Sequence, residues 1–389
     1  MRNTRNTTSG ILIALILIVI PSNAISAQKV AAGSSCKVIN EKVTYLKKTY
    51  TCIKSGKKLI WDKGLSIPTS GALPRIPNTF SELSTDLRGI SYGAWLKSRD
   101  KTSMSNSILG KLIVLVGPNT NANNLLGKDG PGSLKERRSG MELASKLYSN
   151  FKQVKNINVI YYSFADVVWA QQQYDSICSG SKSCNNPKIA SNSCPSPSPC
   201  WGGSASLNAA GDGILLLTIG DPGTYYQGGS LEAHEYTHTI HLNQYMSTNN
   251  CCSVPGWLSE GGAEWSQIAS VFNADYSTYM KERYKGFAFG DYYSNPKSYS
   301  IEWLKEFFSI SPEKNWNQYG GKTYQIGFLA TEILVSLKGP SSFMNLFVSM
   351  GNGQNFETAF KNEFGMSWSE AVPLLSTAIS GQLQKNIIS

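Results

Sequence analysis

The run His234-Glu235-Tyr236-Thr237-His238 constrains this chain more than any other stretch. Two histidines four apart share one face of an α-helix and can aim ring nitrogens at one point. Only a regular helix does this, so the spacing predicts one from about Ser230 to Gln244. Zinc takes imidazole nitrogen at about 2.0–2.1 Å in a tetrahedral shell, and a site with three protein ligands keeps its fourth position for water. Glu235, beside the first histidine, is placed to act on that water as general base. His234 and His238 are therefore candidate metal ligands, and Glu235 is a candidate catalytic residue. The third and last histidine of the chain is His241. On a regular helix it lies roughly 10 Å along the axis from His234. The glycine turn and wider spacing of an H-E-x-x-H-x-x-G-x-x-H site are missing. His241 therefore reads as a partly buried polar group or a supporting residue.

The third ligand is sought in Trp257-Leu258-Ser259-Glu260-Gly261-Gly262-Ala263-Glu264-Trp265. Ser253 to Gly256 is turn chemistry, and a helix is expected to start near Trp257 or Leu258. Glu260 and Glu264, four apart, then share a face. One can bind metal while the other accepts the free N–H of a ligating imidazole, a partner such histidines usually need. The flanking tryptophans argue for burial, and two buried carboxylates need a cation. Glu260 is the candidate third ligand and Glu264 the supporting carboxylate. Upstream, Gly213 to Gly220 reads as a buried strand bounded by glycines.

These two blocks resemble the paired-helix signature of the gluzincins, zinc metallopeptidases whose third ligand is a glutamate. Further on, Tyr324-Gln325-Ile326-Gly327 is similar to the Tyr-x-x-Gly helix of the aminopeptidase-like branch. There the tyrosine hydroxyl steadies the oxyanion, so the resemblance makes Tyr324 a candidate catalytic residue, with Tyr319 a nearby rival. Asn355 to Ser367 resembles the C-terminal helices of bacterial members. The likeness covers about 213–375. It departs from the aminopeptidase pattern in two ways: no Gly-x-Met-Glu-Asn segment occurs, and Ile326 stands where lysine is frequent. The resemblance implies an α+β, thermolysin-like catalytic domain: a mixed-sheet lobe, a helical lobe, and Zn2+ in the cleft between them.

The N-terminus bears on compartment. Arg2 and Arg5 precede an apolar run from Ile11 to Ile20, then small residues to Ala27. This has the form of a secretory leader over residues 1–27, cut after Ala24 or Ala27. An uncleaved anchor is the lesser alternative, because the apolar run is short for a bilayer. Eight cysteines in an exported chain read as disulfides. Cys36 and Cys52 bracket a small module at 28–66 and are expected to pair. Cys178, Cys184, Cys194 and Cys200 lie in a Ser/Pro/Asn-rich stretch that bridges would staple. Cys251 and Cys252 sit between the two metal helices. A Pro-rich linker at 67–78 leads into the catalytic domain, 79–389. Within it Leu112–Val116 and Val159–Tyr162 read as strands. Gly140–Phe151, Tyr279–Tyr284, Ile301–Phe308 and Tyr324–Lys338 read as helices.

The net charge of +10 falls by two when Arg2 and Arg5 leave with the leader. Its densest clusters are Lys54–Lys63 and Lys135-Glu136-Arg137-Arg138. They lack the interleaved aromatics of a nucleic-acid groove and read as a solvated basic face that would suit an anionic cell envelope. The expected function is that of a secreted zinc peptidase acting on a peptide or protein. The strand Ile214–Ile219 is offered as the sheet edge that receives an extended substrate. The alternatives are an envelope protein that binds zinc without turnover, and a zinc hydrolase of a non-peptide amide or ester.

Overall fold

The computed structural model describes residues 30–45, 48–66, 73–120, 132–178, 184, 186–197, 200, 202–219, 227–246, 254–288, 299–310 and 312–384. The expected leader and the pair Cys251–Cys252 lie outside these residues. The N-terminal module is an antiparallel sheet of β1 (Lys42–Tyr45), β2 (Lys48–Ser55), β3 (Lys58–Trp61) and β4 (Leu65–Ser66), with β2 paired to each of the others. Val30, Tyr50, Cys52 and Trp61 form its own small core, and Cys36 is bridged to Cys52 as expected.

The second body opens with α1 (Arg88–Met104), a helix the sequence reading did not anticipate. The chain continues through β5 (Lys111–Val116), α2 (Leu134–Leu147), β6 (Asn156–Tyr162), α3 (Val167–Cys178), α4 (Ile189–Ser193), β7 (Gly203–Leu207) and β8 (Gly213–Thr218). The four strands form one sheet in the order β5-β6-β8-β7. The first three are parallel and β7 is antiparallel to β8. Strand β8 is buried at every position, as a parallel strand covered on both faces should be. The period of two divides its residues: Leu215 and Leu217 enter the main core, Ile214 and Leu216 a second cluster under α3 and α4. Two disulfides, Cys178–Cys184 and Cys194–Cys200, brace that second cluster.

Three sequence expectations need correction here. The strand at Ile214–Ile219 is not a sheet edge: β8 lies between β6 and β7, and the edge beside it is β7. Helix α2 begins at Leu134, six residues before the expected Gly140, and ends at Leu147. Its start is capped by side chains: the Ser133 hydroxyl accepts from the Glu136 N–H, and the Glu136 carboxylate reaches back to the Gly132 N–H. The supposed basic cluster at 135–138 is thus a helix start. Its Arg137 is turned inward to Glu232 at 2.6 Å, with only 11% of its side chain exposed.

The rest is helical: α5 (Ser230–Tyr245), α6 (Gly256–Val271), α7 (Tyr276–Ala288), α8 (Ile301–Ser309), α9 (Pro312–Tyr319), α10 (Lys322–Lys338), α11 (Pro340–Gly351), α12 (Phe356–Phe364) and α13 (Trp368–Gln384). The protein therefore combines a sheet-bearing part with a helical part. Helices α6 and α10 cross at glycines. A Cβ on Gly261 would sit 2.1 Å from the Gly327 backbone, and one on Gly327 would sit 2.1 Å from the Trp257 carbonyl oxygen. Only glycine allows that approach, and it carries α10 against the helix that bears Glu260. Beyond the crossing, Arg283 on α7 and Glu332 on α10 form a fully buried ion pair. Its contacts are 2.9 and 2.7 Å, and Tyr279 and Gln382 bond to it at 2.6 and 2.7 Å.

The three disulfides among the described residues favour an oxidising compartment. Among the described residues no helix is long and apolar enough to cross a membrane.

Candidate metal centre

Helix α5 is buried without a break from Ser230 to Thr237. It is enclosed by α2, α6 and α11 and by β7 and β8. Its buried polar residues are cut off from water, and most of them find a partner within the fold. Glu232 takes Arg137. Thr237 and Thr239 donate to the carbonyls of Ala233 and Tyr236. His234 and His238 face α6, whose first two turns supply Glu260.

The three donor atoms form a compact triangle. His238 Nε2 is 3.1 Å from both His234 Nε2 and Glu260 Oε2, and His234 Nε2 is 3.6 Å from Glu260 Oε2. A tetrahedral ion with bonds of 2.0–2.1 Å sets its ligand atoms about 3.3 Å apart, so the triangle has the right size. Two imidazole nitrogens and a carboxylate oxygen turned on one another need a shared cation, whether a proton or a metal. His234, His238 and Glu260 thus form a group able to hold a metal ion. The Nδ1 atom of His234 lies 3.4 Å from Glu264 Oε2, a contact that fixes the ring's tautomer and direction. Trp257 and Trp265, which flank this acidic pair, are buried as expected.

The electrostatics follow from the packing. Burial by itself disfavours the His234 imidazolium. The bonds to Glu260 and Glu264, with the nearby Glu235 charge, outweigh it and raise the pKa to about 10. Burial likewise works against the Glu260 carboxylate, but the two histidines hold it below the usual carboxylate range. Burial pushes Glu235 up, against the pull of His234 and His238. At pH 7 the metal-free site therefore retains a proton on His234. The stabilisation from that raised pKa is fully present below about 6.5 and is lost as pH rises through about 10. Metal must displace this proton. At pH 7 we expect about one proton released per ion bound, and an affinity that rises with pH. Titration calorimetry in buffers of different ionisation enthalpy measures that number. Equal heats in every buffer would contradict the assignment.

Glu235 is 5% exposed and lies against β7. A Cβ on Gly203 would come within 2.7 Å of Glu235 Cγ and Oε1, so the carboxylate occupies the space a side chain there would fill. Tyr324, in the first turn of α10, stacks over His234 with ring centroids 6.0 Å apart. Its hydroxyl bonds to Glu260, and burial with the surrounding carboxylates pushes its pKa up. The rival Tyr319 is elsewhere: it packs on Trp303 and Phe307, and its hydroxyl faces Glu306 at 3.5 Å. His241, expected to be partly buried, is 1% exposed. It stacks on Phe347 at 4.0 Å, and neither ring nitrogen has a hydrogen-bond partner among the described residues. With burial the main cause, its pKa falls well below the ordinary histidine value, and it stays neutral.

The donor triangle opens into a cleft of about 310 Å³. One wall is the edge strand at Gly203, Ser204 and Ala205. Another comes from the disulfide-braced segment, through Asn186, Ile189 and Asn192. Sequence reasoning missed both walls. Gly203-Ser204-Ala205-Ser206 has neither the β-branched residues nor the alternation that marks a strand, and Ile189–Ser193 is too short a helix to show periodicity. No protein-family model matches the chain, and no curated protein matches it.

Proposed function

We propose that this protein is a zinc-dependent peptidase of the gluzincin type, with a thermolysin-like arrangement of sheet and helical parts, acting on extended peptide segments outside the cytoplasm. The observation that carries the reading is the His234–His238–Glu260 triangle, with Glu235 buried beside it at the mouth of a cleft that runs along a sheet edge. Zinc suits two imidazoles and one carboxylate, and when bound it supplies a Lewis acid that lowers the pKa of water towards about 7 and polarises a carbonyl.

The protein's own groups would do the rest. The β7 edge offers backbone groups to an extended chain and sets the scissile bond over the triangle. Glu235, its carboxylate pinned against Gly203, takes a proton from the attacking water and passes it to the leaving amine. Its raised pKa suits it to hold that proton between the two transfers. Tyr324, whose hydroxyl rests on Glu260, would turn that donor to the carbonyl oxygen as it gains charge. Glu264 keeps the His234 ring in place.

The test is metal content together with cleavage of casein and a mixed peptide library. One zinc per chain, with cleavage abolished by a chelator and restored by zinc, is the expected result. Zinc without any cleavage would replace this reading with a binding role, and cleavage only of simple esters or amides would replace the substrate class. A finer check uses Gly203→Ala. The added methyl pushes the Glu235 carboxylate aside, and a shift near 1 Å in such a group lowers turnover about 100-fold. Zinc affinity is expected to be unchanged, because the atoms that an added Cβ meets first belong to Glu235 and not to the triangle. Wild-type turnover in this variant would show that Glu235 need not lie where the structure has it.

A further inference from the structure

The N-terminal module carries an unusual pair of features at one end of its sheet. Between residues 30 and 66 the chain has eight lysines and two acids, Glu41 and Asp62. Asp62 is occupied within the module, accepting from the N–H groups of Thr51 and Gly64. Lys42 is spent on Asp100 of α1 at 3.1 Å. Lys54, Lys57 and Lys58 stand exposed around the β2–β3 hairpin, where Ser55 pairs with Lys58.

Beside that hairpin lies the turn Lys37-Val38-Ile39-Asn40. It is held rigidly: Cys36 is bridged to Cys52, and its N–H donates to the Leu59 carbonyl. The Asn40 N–H donates to the Cys52 carbonyl, and the Cys52 N–H to that of Glu41. These bonds set the turn at the same end of the sheet as Lys54 and Lys58. At its tip Val38 is 60% exposed and Ile39 52% exposed. Adjacent aliphatic side chains held out into water on a braced turn, beside exposed lysines, have no role in the module's own core. A soluble polyanion would satisfy the lysines and leave the aliphatics wet. An anionic bilayer satisfies both, taking Val38 and Ile39 below its headgroups and the lysines at their phosphates.

We propose that this end of the module docks on an anionic lipid surface and holds the metal-bearing body beside it. The proposal stands apart from the hydrolytic reading, since it requires no turnover. It is tested by sedimenting the chain from residue 28 onward, which keeps every described residue, with vesicles. One set is phosphatidylcholine alone and the other contains phosphatidylglycerol. Binding is expected to the second set only. Each lysine near such a surface contributes about fivefold, so replacing Lys54, Lys57 and Lys58 with Gln lowers partitioning on the order of a hundredfold. Val38→Ser with Ile39→Ser lowers it about tenfold or more, while binding to soluble polyphosphate stays unchanged. The control pair Lys305→Gln and Lys361→Gln partitions like the parent. Mass measurement of intact disulfides confirms that each variant folds. Unchanged partitioning of either test variant would overturn the proposal. So would a loss confined to the lysine variant together with full competition by polyphosphate, which would identify a polyanion binder.

Discussion

On the proposed peptidase reading, Glu235→Gln is expected to lower peptide-bond hydrolysis by about 10²–10⁴-fold and to leave zinc binding intact. The size is the usual contribution of a positioned general base. The selectivity follows from the geometry, because Glu235 lies beside the triangle and is not one of its corners. Glutamine has nearly the shape of glutamate, so it still fits against Gly203, where a Cβ would meet the side chain at 2.7 Å. What it lacks is the capacity to take a proton and return it. Metal analysis alongside turnover on one peptide separates the outcomes. A variant that keeps zinc and full activity would remove Glu235 from the chemistry. A variant that loses zinc would assign it to the metal shell.

Glu332→Ala destabilises the fold by about 3–5 kcal/mol, the loss expected when one member of a buried ion pair is removed. Arg283 is wholly enclosed and bonds Glu332 through two nitrogens. Without the carboxylate its charge stays in the interior beside Gln382 and the Phe328 ring, neither of which carries a compensating charge. Tyr279 also loses the acceptor of its hydroxyl. Replacing both ions by apolar residues of similar volume, Arg283→Met with Glu332→Leu, recovers most of the loss, since no uncompensated charge is then buried. Urea unfolding of the two variants measures the difference. Equal destabilisation of both would show that packing, and not charge, dominates at this position.

Long, strongly patterned elements were legible in the sequence. The helix of His234 and His238 was expected over Ser230–Gln244 and runs over Ser230–Tyr245. The buried strand at Gly213 and the helix after Pro255 also stand where turn residues and apolar runs placed them. The corners of the metal triangle were readable because helical spacing converts directly into a shared face. What failed to show was whatever depends on contacts across the chain. The edge strand β7 is made of small residues and gains its conformation from pairing with β8. The close fit of Gly203 to Glu235 joins residues far apart in sequence. Arg137 looked like part of a solvated patch because its partner, Glu232, lies 95 positions on. Helix α1 has a weak apolar pattern. Its buried face includes Gly89, Ser91, Gly93 and Ser98, small residues that allow close packing without announcing a core.

The two bridges in the cleft wall have a practical consequence. Each joins cysteines only six positions apart, so each closes a loop too short to remove much freedom from the unfolded chain. They add little to global stability and instead fix the shape of one local segment, the one that presents Asn186, Ile189 and Asn192. Chain made in a reducing host would still assemble α5 against α6 and keep the His234–His238–Glu260 group able to hold a metal ion. It would pass the common checks of solubility, metal content and melting temperature. Its cleft wall would nonetheless be slack, and ligand preferences measured on such material would describe a differently shaped cleft from that of the oxidised chain.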